Sequence, residues 1–392
     1  MPVYSLSTCI RSNVPVSYLL YDLCIYHMDS QRNKHILVNV TQQLFKDNYE
    51  TQNHPTCDTH IPASTICIME VILYRKNMLK TVCVSPTPFT KMYTLEAFAS
   101  GRAFSPVKRE NPCYFESKGT PKLVSEGGET KVIQITRPER PFIAEEYPIG
   151  HPLDPFEWGE IESQIKDRFD WVSFPLQQDA SACGPAAFFY CLQKDRPDVY
   201  AQAAKELWQY GKTTIGKLDI KPGNSCLHPS GSFYDEYGMA RIIGIDWMTL
   251  VGLRDSENKI LSFDKLDSPL AGITMWETLT EWFEKAGYEK IFSNVGITQA
   301  GVQGIRALNN YAHKGYWIVT LINDGLLKRG NSSLTVPTHW IVWQEALTQE
   351  TTGSFHLNLF SWGRVEDQIE SGQDASFFIK RFFGGMVFKP LK

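Results

Sequence analysis

The chain has 392 residues, of which 43% are hydrophobic and 12% aromatic, and a formal net charge of −4. That apolar content supports packed globular structure and excludes a disordered chain, while the length predicts two domains. The mild acidity, with no basic run interleaved with aromatics, gives no reason to expect nucleic acid as a partner.

Near the start, the longest apolar run spans 14–26 and is broken by Asp22, so it falls short of a membrane span. Arg11 before it mimics the charged end of a signal peptide, but no small-residue cleavage site follows. The chain is therefore expected to be made in the cytoplasm without a cleaved signal. Apolar, β-branched runs at 35–40, 65–74 and 131–135 predict strands, making 1–137 a β-rich N-terminal domain. Of the nine cysteines, six lie scattered through the first third, and no C-x-x-C pair occurs; reduced thiols are expected. Cys226 and His228 could be half a zinc site, but no second pair stands at ligand spacing, so neither metal nor organic cofactor is expected. Prolines concentrated between Pro138 and Pro155 predict a linker over 138–158.

A second domain, 159–392, begins with helices. The pattern predicts helices at 197–210 (capped by Asp195, stopped by Gly211), 237–253, 275–286 (stopped by Gly287) and 299–313. Strands follow from 316, 338 and 354. Helices first and strands last predict an α+β fold with a cleft between two halves.

The most informative stretch is Gln177-Gln-Asp-Ala-Ser-Ala-Cys183-Gly-Pro. It puts a cysteine in a small-residue turn that opens an apolar helix. A thiol at a helix N-terminus lies at the positive end of the dipole, which favours thiolate, and free N–H groups there can hold an oxyanion. Gly184 permits close approach of a substrate, and Pro185 suits the first turn. Cys191, two turns on among aromatics, reads instead as a buried small hydrophobe. A thiol nucleophile needs a base distant in sequence. Among His228, His313, His339 and His356, His339 has the best context, since it begins the strand-like Thr338-His-Trp-Ile-Val-Trp343. Asn358, nineteen residues later in Ser354-Phe-His-Leu-Asn358-Leu-Phe-Ser-Trp362-Gly, is the candidate to orient the imidazole. Trp362 would shield the pair or fill core.

Gln177, Cys183-Gly, His339 and the closing Ser361-Trp-Gly363 resemble the papain-like cysteine peptidase superfamily, and Gln177-x5-Cys183-Gly-Pro is especially similar to peptidases that trim bacteriocin leaders. The resemblance covers about 165–392. It implies a helical half facing an antiparallel sheet half, Cys183 as nucleophile, His339 as base, Gln177 as oxyanion donor and Asn358 as orienting group. It departs from the papain pattern in one place: Phe360, not asparagine, directly precedes Ser-Trp-Gly. Such a domain behind a separate N-terminal region also resembles bacterial effector toxins delivered by a secretion apparatus. That implies antibacterial cleavage of a protein substrate, with an immunity protein or secretion component as further partners. The rival readings are a deamidase, amidase or transglutaminase using the same residues, and an inactive binding module on the same fold.

Overall fold

The computed structural model describes residues 3–10, 12–57, 59–76, 80–85, 87–101, 103, 113–118, 124–126, 129–136, 140–177, 182–257, 273–330, 336–349, 351 and 354–391; within 113–136 only the backbone path is described. Arg11, Pro138 and the 178–181 portion of the cysteine motif lie outside these residues. The fold is mixed α and β with antiparallel sheets. It divides into two compact units, Met1–Arg140 and Pro141–Lys392.

The first unit is built on an antiparallel sheet whose strands run β2-β1-β3-β4, where β1 is Leu19–Met28, β2 Lys34–Leu44, β3 Ile66–Lys76 and β4 Thr81–Cys83; β5 (Phe89–Thr94) also pairs β3. Tyr21, Leu23 and Ile25 alternate into its core, as a strand with one packed face requires. Asp22, on the other face, accepts the Gln42 N–H at 2.7 Å and the Tyr74 hydroxyl at 2.7 Å, so the charge that interrupts the apolar run serves a bulge between β1 and β2. After α1 (Leu95–Ala99), strands β6 (Cys113–Lys118), β7 (Val124–Glu126) and β8 (Glu129–Thr136) form a three-stranded sheet with β8 central.

The second unit takes in most of the stretch expected as linker. Phe142, Ala144 and Phe156 are fully buried in it, and the Ile143 and Glu145 N–H groups bond the carbonyls of Leu227 and Pro229 at 2.9 Å each. Helix α2 (Trp158–Phe169) leads to α3 (Cys183–Asp195) and α4 (Pro197–Tyr210), and α4 ends at Gly211 in the left-handed region, φ 66°. The expected cap from Asp195 is not made: Arg196 is the N-cap, with no side-chain bond. Asp195 instead accepts from Trp317 Nε1 at 2.7 Å and from the Leu391 N–H at 3.0 Å.

The helix expected at 237–253 starts later. Asp235 accepts the N–H groups of Tyr237 and Met239 at 2.9 and 2.8 Å, folding 235–239 into a turn. The helix runs from Gly244, passes through a π-helical segment, Trp247–Val251, and continues as α5 (Gly252–Glu257). Helix α6 (Trp276–Ala286) stops at Gly287, φ 108°, as its sequence indicated. Next come β9 (Glu289–Ser293), α7 (Gly301–Asn309), β10 (Trp317–Ile322), β11 (His339–Trp343), β12 (Asn358–Ser361), β13 (Arg364–Asp367), α8 (Ala375–Lys380) and β14 (Phe382–Lys389).

These strands form one antiparallel sheet in the order β9-β14-β10-β11-β12-β13. Strands β10 and β11 are nearly continuous apolar runs because both faces are covered. On one face Tyr190 of α3 stacks on Phe360 with centroids 3.9 Å apart, and Phe283 of α6 stacks on Phe388 at 4.2 Å. On the other, Ile305, Leu308 and Phe378 pack with Ile341, Trp343 and Leu359. The helix that Cys183 opens is thus seated on the sheet that carries His339.

Candidate active site

Cys183 is the first residue of α3, preceded by Ala182, an N-cap without a capping side chain, so the first-turn N–H groups keep their donor capacity. The thiol lies among the N–H groups of Trp340 and Gly184. Trp340 directly follows His339, so the start of β11 closes on the Cys183 thiol. Gly184 is needed for this approach: a Cβ there would stand 2.6 Å from Thr274 Oγ1 and 2.7 Å from Thr274 Cβ. Thr274, fully buried, in turn accepts Trp340 Nε1 on its carbonyl at 2.9 Å.

His339 pairs with Ile322 of β10, and its Nε2 lies 2.7 Å from Ser361 Oγ. Trp362 stacks on the imidazole, with centroids 4.7 Å apart and planes at 22°. The β12–β13 hairpin turns at Trp362-Gly363, both with positive φ, 46° and 71°, as a two-residue type I′ turn demands. A left-handed tryptophan costs on the order of 1 kcal/mol, and here it sets the indole over the histidine. A Cβ on Gly363 would meet Leu176 Cβ at 3.1 Å, so this turn rests on the residue before Gln177. That residue is fixed too. Its N–H donates to Asp246 Oδ2 at 3.2 Å, and Arg168 Nη2 reaches both oxygens of the same carboxylate at 2.9 and 2.8 Å. Gln177 itself is buried.

Asn358 is not brought to His339. The β11–β12 register sets Val342 opposite Phe360 and Trp343 opposite Leu359, so the carbonyl of Asn358 accepts the Gln344 N–H (2.9 Å), at the far end of β11. Residues 358 and 361 also project from opposite faces of the strand. The Asn358 Oδ1 meets no donor among the described residues. The group beside the imidazole is Ser361. The other histidines lie elsewhere: His228 Nδ1 is 3.1 Å from the Asn224 carbonyl, His313 sits in the 3-10 turn Ala312–Lys314, and His356 Nδ1 is 2.6 Å from Asp367 Oδ2.

The electrostatics reverse one expectation. Burial dominates at Cys183 and raises its pKa, although the Trp340 and Gly184 N–H groups and the Arg254 guanidinium pull it down. The helix terminus does not win against desolvation. Burial likewise pushes His339 down to about 4, with Asp324 acting the other way. Thiol and imidazole, only 4% and 3% exposed, therefore rest uncharged.

Three neighbours escaped the sequence reading. Arg254 donates from Nη1 to Thr274 Oγ1 at 2.9 Å. Asp324 is tied to Thr338, which donates to its Oδ1 at 2.6 Å and accepts its N–H at 2.8 Å. Thr274 joins both sides of the site. None carries a local signal, except that Asp324 stands two residues past an apolar strand in Ile322-Asn-Asp-Gly. No cluster of His, Cys, Asp and Glu among the described residues could hold a metal ion, and no helix among them is long and apolar enough to cross a membrane. Comparison with protein-family models, curated proteins and solved structures finds no match to this chain.

Proposed function

We propose that residues 141–392 form a papain-like cysteine hydrolase that cleaves peptide bonds in a protein substrate by acyl transfer. The observation that carries this reading is the closure of the His339-Trp340 strand start on the Cys183 thiol, with His339 Nε2 engaged by Ser361. An apolar cysteine site would not need a buried imidazole with one nitrogen fixed and an indole stacked on it.

With Nε2–H donated to Ser361, Nδ1 is the nitrogen that takes the thiol proton. The thiolate attacks the carbonyl carbon: an S–C bond forms, and the π electron pair moves to oxygen. Gln177 and the Cys183 N–H stabilise that oxyanion. Collapse breaks the C–N bond, and the amine departs with the proton from His339. Water, deprotonated by His339, then cleaves the thioester. Because the resting pair is uncharged, charge separation belongs to the substrate-bound state, where the carbonyl and its donors are in place.

The test is a proteome comparison of cells expressing the wild type and Cys183→Ala, joined to thermal melts of both proteins. New protein termini that vanish in a normally folded Cys183→Ala variant support a peptidase. Unchanged cleavage by that variant ends the nucleophile assignment. Mass changes of +1 Da on glutamine, without new termini, would instead favour a deamidase. In the effector-toxin reading, residues 1–140 serve recruitment or delivery, and deleting them should alter target choice without abolishing acyl transfer.

A further inference from the structure

We propose that Arg254 is a positioning residue for the nucleophile: held by Thr274 against Gly184, its guanidinium balances the charge of the Cys183 thiolate once the proton has moved to His339. This inference rests on the hydrolase reading above.

The geometry runs through one buried side chain. Thr274 Oγ1 accepts Arg254 Nη1 at 2.9 Å, the same hydroxyl lies where a Cβ on Gly184 would be 2.6 Å away, and the Thr274 carbonyl accepts Trp340 Nε1 at 2.9 Å. The nucleophile helix, the base strand and the helix bearing the cation therefore meet at a single threonine. Arg254 is itself buried, 8% exposed, so little water screens its charge from a thiolate formed at Cys183.

The surroundings leave this role to Arg254. On α3, Lys194 and Asp195 lie at the opposite end of the helix from Cys183. From the sheet, His339 lies against Ser361 and Trp362, with Asp324 acting on it. From α2 and α4, Arg168 and Arg196 are paired with Asp246 and Asp198, and Glu206 is bonded by Gln202 and Thr213. On α6, Glu277, Glu281 and Glu284 face solvent, and Lys285 pairs with Glu281. Among the described residues, the charge that acts on the thiol is that of Arg254.

His339 alone could deprotonate the thiol, but in a buried site the resulting anion needs a fixed opposite charge. The imidazolium must surrender its proton to the leaving amine, whereas a guanidinium keeps its charge throughout. Arg254 thus holds the thiolate-bearing helix start at constant potential while His339 cycles.

The test is site-resolved alkylation of Cys183 by iodoacetamide across pH, in which the thiolate sulfur bonds carbon and iodide departs. The full-length wild type is compared with Arg254→Lys, Arg254→Met and Thr274→Val, with quantitation by mass spectrometry of the Cys183 peptide. Removing an opposite charge at close range lowers thiolate population about tenfold or more at fixed pH, so Arg254→Met should slow alkylation by about that factor. Its pH profile should move alkaline, and Arg254→Lys should recover most of the rate. If Arg254→Met does not fold, Thr274→Val decides the matter: nearly isosteric, it keeps the contact with Gly184, removes the bond to the guanidinium, and should shift the profile the same way by a smaller amount. Profiles identical to wild type in the folded variants would overturn the inference, as would a wild-type Cys183 that reacts at no pH. An active enzyme whose alkylation ignores Arg254 ends this inference alone; an active Cys183→Ala ends the hydrolase reading.

Discussion

Replacing Ser361 by alanine separates the arrangement in the sheet from the one the papain pattern implies. Ser361 is 2% exposed, and its Oγ is 2.7 Å from His339 Nε2, so alanine leaves a buried ring nitrogen without its partner. Losing that bond costs about 1–3 kcal/mol, which appears both as lower stability and as poorer control of the tautomer that leaves Nδ1 basic. In rate terms this is roughly a tenfold to hundredfold fall in turnover. Asn358 lies opposite Gln344, five residues along β11 from His339, a separation of about 17 Å at the rise of a strand. Asn358→Ala should therefore leave turnover close to wild type. The assay is hydrolysis of an activated ester, with the rate of Cys183→Ala subtracted, alongside urea unfolding of both variants. A loss from Asn358→Ala equal to that from Ser361→Ala would refute the register argument, as would full activity in Ser361→Ala.

Other consequences are equally direct. The unfolded chain protonates His339 near its ordinary 6.5 but the folded protein only near 4, so stability from this residue is complete above 6.5 and lost as pH falls toward 4. The loss is about 3 kcal/mol, and urea midpoints across that window should be flatter in His339→Gln than in wild type. Asp195, pushed up to about 7 by burial, works oppositely, so Asp195→Asn should lessen destabilisation as pH rises from 4 to 7 in the same titration. Gln177→Ala should reduce turnover by roughly a hundredfold to a thousandfold, the range for one oxyanion donor, with its melting point little changed. A fragment beginning at Pro141 should melt cooperatively, whereas one beginning at Glu146 loses the buried Phe142 and its ring contact with Phe156 at 5.4 Å and should be less stable by about 3 kcal/mol or more. Equal melting of the two fragments would show that 141–145 adds nothing.

The sequence makes legible those features whose determinants are local. Cys183 stands where small residues meet an apolar run, and a helix starts there; Gly211 and Gly287 end helices because left-handed backbone is cheap only for glycine. His339 opens a strand whose apolar, β-branched continuation is unambiguous. The misplaced residues depend on pairings that spacing does not encode. A nineteen-residue separation permits a strand returning beside His339, but the β11–β12 register sets Val342 opposite Phe360 and Trp343 opposite Leu359, which carries Asn358 to the far end of β11. The late start of the helix before α5 follows from Asp235 capturing two N–H groups, a choice that apolar periodicity does not register. Prolines at 141, 148, 152 and 155 look like a linker by composition, yet Phe142 and Phe156 between and beside them are core.

The π segment at Trp247–Val251 makes the site depend on a count of residues as well as on their identity. Each residue in a regular helix advances the side-chain direction by about 100°, and a π turn carries one residue more than the α turn it replaces. Deleting a single residue between 247 and 251 would leave a regular α turn with Arg254 aimed as before, whereas inserting one beyond the residue already absorbed would swing Arg254 by about that angle relative to the helix before it. Every side chain of the site would survive such an insertion, and the guanidinium would still leave Thr274. Tolerance to substitution and tolerance to length change therefore diverge here: the walls of this helix can vary in chemistry, but its phase is fixed by the threonine that Arg254 bonds.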